Sequence, residues 1–133
     1  SYLLSANKGD GNWTAVMLDK EGFHIMEDIA AESLIPFRAG SDAGYIATYG
    51  GFSLFRLVNP ENGTIGQAIY TCKIGQIISA TSNSEKPGHI LLNVSETSNG
   101  LQIYDLAWND TKSLSHITLP NSANDYAEVL MAN

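Results

Sequence analysis

Basic residues are scarce: 7 Lys and Arg stand against 14 Asp and Glu, for a formal net charge of −7. Nucleic acid and anionic membrane surfaces select for basic patches, so neither is an expected partner. Charged residues of both signs make up only 16% of the chain, against 44% apolar, which excludes a disordered polyelectrolyte and fits a packed core. No apolar run approaches the ~20 residues that a membrane-crossing helix needs. A basic-then-apolar leader is also missing at the N-terminus, which leaves open one cleaved before Ser1. Cysteine occurs once, at Cys72, so an internal disulfide and a Cys-rich metal site are both excluded. Its neighbours Ile69, Tyr70, Thr71 and Ile74 are apolar or β-branched, and a buried, inert thiol is expected.

Several chemical signatures are missing too. No Gly-x-Ser-x-Gly elbow and no phosphate-cradling loop is present. Asp10, Asp19, Glu21 and Asp28 lie near one another in sequence but lack calcium-loop spacing, so they read as a solvated face. His24, His89 and His116 are far apart and occupy different strands of their units, which argues against a shared site. No metal and no cofactor is expected.

What the sequence does contain is a repeat. The 133 residues suit one domain. Short apolar runs begin at Tyr2, Tyr45, His89 and Glu128, at steps of 43, 44 and 39 residues. A second run follows each of the first three starts, at 13–19, 52–57 and 101–106, and a third at 23–29, 64–70 and 114–119. Fourth runs at 34–39 and 76–80 precede the next starts. Turn residues such as Lys20-Glu21-Gly22, Asn59-Pro60-Glu61-Asn62-Gly63, Gly9-Asp10-Gly11 and Gly50-Gly51 separate the runs and supply the backbone conformations that hairpins need. Residues 26–33 have weak helical spacing and read better as a strand end plus loop. The expectation is an all-β chain of three four-stranded units, at 2–44, 45–88 and 89–133. A β-propeller arranges such units as blades around a channel, and a β-trefoil closes after three. Motif order favours the propeller and length favours the trefoil.

The phrases Ser41-Asp42-Ala43-Gly44-Tyr45-Ile46-Ala47 and Ser53-Leu54-Phe55-Arg56-Leu57-Val58-Asn59-Pro60-Glu61-Asn62-Gly63 carry the motif order. They resemble the repeats of lactonase-type propellers, the group of bacterial 6-phosphogluconolactonases and fungal carboxymuconate cyclases. Tyr2 to Asn7 and Val129 to Asn133 resemble one strand of that repeat. The resemblance implies a site at a channel mouth for an anionic sugar acid or muconate. Family members often carry a proline-arginine pair before the serine-rich turn. Pro36-Phe37-Arg38 is similar with one phenylalanine inserted, which makes Arg38 the candidate anion contact, while Arg56 reads as structural. Three units do not close a typical propeller, so a homo-oligomer or a completing chain is implied.

Two further readings rest on the residues alone. Trp13, Trp108 and Tyr49 sit beside turns or at strand ends, where exposed rings would serve carbohydrate binding in a lectin-like trefoil. Asn12, Asn62, Asn93 and Asn109 each begin an Asn-x-Ser/Thr triplet, which suggests a secreted glycoprotein, with a cytoplasmic protein as the alternative. Three functional expectations follow: a binding or scaffolding propeller, a lactonase- or cyclase-like enzyme, and a lectin.

Overall fold

The computed structural model describes residues 1–119. Every run in that span is a strand, and there is no helix among the described residues. The strands are β1 (Tyr2–Gly9), β2 (Asn12–Asp19), β3 (Gly22–Ala30), β4 (Ser33–Ala39), β5 (Asp42–Tyr49) and β6 (Phe52–Asn59). They continue as β7 (Thr64–Cys72), β8 (Gln76–Ser82), β9 (His89–Glu96), β10 (Gly100–Ala107) and β11 (Ser113–Ile117). The run at Glu128 lies outside the described residues. The weakly helical stretch is the end of β3 and a two-residue turn.

The strands form three antiparallel meanders: a first sheet β1-β2-β3, a middle sheet β4-β5-β6-β7 and a last sheet β8-β9-β10-β11. Each fourth run therefore joins the sheet that follows it rather than the three runs before it. Units 2–44 and 45–88 straddle two sheets each. The reason is local: Gly40, at φ 59°, allows a tight turn that pairs β4 with β5 from Ala39↔Asp42 to Ser33↔Thr48. The crossover from β3 to β4 is fixed by Ala31 N–H donating to Gly11 O (2.9 Å) and Glu32 N–H donating to Thr48 O (2.8 Å).

Alternation along the strands covers both faces of the middle sheet. Leu34, Tyr45 and Ala47 meet Ala15, Ile29 and Ala31 on the side of the first sheet. Phe37, Ile46, Phe55 and Cys72 meet Ile77, Ile90, Leu92, Val94, Leu106 and Trp108 on the side of the last. Along one edge β1 lies against β4 and β4 against β8, while at the other β3 lies against β7. Gly44 and Gly75 mark close approaches: a Cβ would overlap the Arg56 carbonyl at one and the Ser95 carbonyl at the other.

Candidate functional site

The edge where β1, β4 and β8 meet holds an open cavity of about 280 Å³. Pro36, Phe37 and Arg38 of β4 all border it. Phe37 points into the core toward the last sheet, so Pro36 and Arg38 project together from the other face. The inserted phenylalanine thus leaves the proline and arginine side by side. Leu3, Ala43 and Ala80 supply apolar wall, and Tyr2, Thr81 and Ser82 complete the lining. Ser82 Oγ donates to the Arg38 carbonyl at 2.8 Å, tying β8 to β4 at the cavity floor. The Arg38 side chain is exposed and has no ion-pair partner among the described residues.

Arg56 shows the opposite behaviour. Its Nη1 donates to Glu27 Oε2 at 2.9 Å and its Nε to Gly66 O at 2.7 Å, so the guanidinium is committed to linking β6, β3 and β7. Of the two arginines, Arg38 alone is available to a ligand.

The other sequence candidates lie elsewhere. Trp108 is 9% exposed; its ring packs 5.2 Å from Phe37 and 5.6 Å from Phe55, and its Nε1 donates to Asp42 Oδ2 at 2.9 Å. Lys112 Nζ lies 4.3 Å over the same ring. Trp108 therefore holds two sheets together and presents no free face to a sugar. Trp13 packs partly buried against the cluster between the first and middle sheets, and Tyr49 stacks on Phe52 at 5.2 Å. These three rings do not converge with Arg38.

Asn62 and Asn109 lie in exposed turns, where each Oδ1 accepts from the hydroxyl of Thr64 (2.6 Å) or Thr111 (2.7 Å). Asn12 is exposed at the start of β2, and its amide donates to Asp10 O. Asn93 is 6% exposed within β9, a position that a glycan could not occupy without opening the sheet.

Each histidine has its own local partner: His24 with Asp19 (2.9 Å), His89 with Asp105 (2.7 Å) and His116 with Gln102 (2.6 Å). No cluster of three His, Cys, Asp or Glu residues suited to a metal ion occurs among the described residues. Cys72 is buried between the middle and last sheets, and burial pushes its thiol pKa up, as an inert thiol requires. Burial also pushes Tyr45, Tyr70 and Tyr104 up to about 12, with Glu96 adding to the effect at Tyr104. Tyr104 donates a short hydrogen bond to Glu96, in a polar hollow that Asn99, Gln102 and His116 also line.

Sequence reasoning named Pro36 with Arg38 but missed Tyr2, Thr81 and Ser82 as their neighbours. One signal was available: Ser82 lies 44 residues after Arg38, one repeat step on. No family model, no curated protein and no solved structure matches the chain.

Proposed function

We propose that the three sheets are consecutive blades of a propeller-type ring, and that the chain is a binding module for a small organic anion held at Arg38. The observation that carries this reading is the unpaired Arg38 guanidinium in a cavity bordered by one edge strand from each sheet. Its lining combines apolar residues with Thr81 and Ser82 and includes no carboxylate among the described residues. Such a site suits a carboxylate with an apolar or hydroxylated body, such as a sugar acid or a muconate. Hydrolysis or cyclisation would also need a general acid or base near the anion. No histidine, carboxylate or thiol lines this cavity among the described residues, which favours binding over catalysis.

Calorimetric titration with muconate and with gluconate tests the reading. At least one should bind, and Arg38→Gln should weaken it by about 10- to 100-fold, the equivalent of losing a charge-assisted hydrogen bond. Affinity unchanged in Arg38→Gln, or no binding of either anion, would overturn it.

A further inference from the structure

The first sheet has one face that nothing covers among the described residues. The pairings Tyr2↔Leu18, Leu4↔Val16, Leu18↔Phe23 and Val16↔Ile25 place six large apolar side chains together on the side away from the middle sheet. Tyr2 is 71% exposed, Phe23 70% and Ile25 78%. The patch is on the order of 500 Å², at the upper end of what a monomer leaves uncovered. The charged side chains that β1 and β3 add to this face, Lys8 and Asp28, are paired with each other at 2.9 Å. The face can therefore be covered without stranding a charge.

The repeat indicates what covers it. Tyr45 lies 43 residues after Tyr2, and its side chain enters the seam between the first and middle sheets. There its hydroxyl donates to Leu4 O at 2.7 Å, with Val16 O also within reach at 3.1 Å. The face bearing Tyr2 is thus the counterpart of the face by which the middle sheet docks on the first. Ile90, Leu92, Leu106 and Trp108 form the corresponding face of the last sheet, docked on the middle one. The surface matched to such a face is the opposite side of a like sheet. In this chain that side belongs to the last sheet, where the pairings put Leu91, Leu101 and Ile103 beside Asn93, Ser95 and Asp105, with Asp105 paired to His89 at 2.7 Å.

We propose that the open face of the first sheet docks on the outer face of the last sheet of a second copy of this chain. The contact is head-to-tail, so two copies that each give and receive it close a ring through the three described sheets of each. Tyr2 then seats its hydroxyl on backbone carbonyls of the receiving sheet, as Tyr45 does within the chain. Tyr2 belongs to both this surface and the Arg38 cavity, whereas Phe23, Ile25 and Ile103 lie outside the cavity lining, so substitutions at those three score assembly separately from anion binding.

Light scattering of the full chain over a dilution series tests the proposal. The wild type should have the mass of two chains at tens of micromolar. The double variant Phe23→Lys/Ile25→Lys should be monomeric with an unchanged far-ultraviolet spectrum, its dissociation constant raised at least 100-fold. Ile103→Lys on the receiving face should do the same, and an equimolar mixture of the two variants should not regain a closed dimer. Ile69→Lys, an exposed apolar residue on β7, should leave the mass unchanged. A monomeric wild type at several hundred micromolar would overturn the proposal. So would a dimer that survives Phe23→Lys/Ile25→Lys, or one that dissociates on Ile69→Lys.

Discussion

The two seams of the stack differ in what dominates them. Between the middle and last sheets, Phe37, Phe55, Tyr70 and Trp108 form a chain of ring contacts 5.2–5.6 Å apart, with Cys72 and aliphatic residues around them. Between the first and middle sheets the buried residues include Ala15, Ala31 and Ala47, and the sheets are held by Tyr45 on two carbonyls and by Arg56 on Glu27. Both seams mix apolar contact with hydrogen bonds: Trp108 Nε1 donates to Asp42 and Ser82 Oγ to the Arg38 carbonyl at the one, while Ile29, Leu34 and Tyr45 bury apolar area at the other. They differ in proportion, with large rings dominating one seam and smaller side chains, a tyrosine hydroxyl and an ion pair the other.

Substitutions at the two seams should separate these contributions. Phe55→Ala should have the largest effect, about 3–5 kcal/mol, because Phe55 is fully buried and its removal leaves a cavity among three other rings. Urea unfolding would show it; a loss near 1 kcal/mol would mean that the seam collapses around the gap. Arg56→Met should cost less, about 1–2 kcal/mol, since Glu27 stays partly exposed and keeps some hydration when its partner is lost. Tyr45→Phe should be mildest at neutral pH, about 1 kcal/mol for one hydrogen bond to the backbone.

Tyr45→Phe also has a signature in alkali. Burial raises the folded-state pKa of Tyr45 to about 12, above the ~10 of an unfolded tyrosine. Its contribution is complete below pH 10 and is lost as pH climbs from 10 toward 12. Tyr70 and Tyr104 in the aromatic seam behave alike, so the variant should lose only part of the alkaline fall in stability. An unchanged alkaline limb would show that Tyr45 ionises without loosening its seam.

The strands were legible from the sequence because short apolar runs ended at turn residues that only a few backbone geometries accept. Their grouping was less so. Runs at fixed spacing do not say which neighbour each pairs with, and the turn at Gly40-Ser41 assigns β4 forward rather than back. Arg38 could be found because Pro36-Phe37-Arg38 resembles the proline-arginine pair of the lactonase-type repeat. Trp108 could not be placed, because its hydrogen-bond partner Asp42 is 66 residues away. Asn93 gave no sign of burial, since Ile90-Leu91-Leu92-Asn93-Val94 does not alternate and so does not mark an outer face.

The two-residue crossover at Ala31-Glu32 ties the end of one sheet to the beginning of the next, and both residues donate to backbone carbonyls. The same brevity recurs at 73–75, between β7 and β8. Connections this short leave no slack for a sheet to be skipped or exchanged with another, so order in space follows order of synthesis. Evolution could then lengthen or shorten such a protein by whole meanders, like vertebrae in a spine, with each change confined to a single joint.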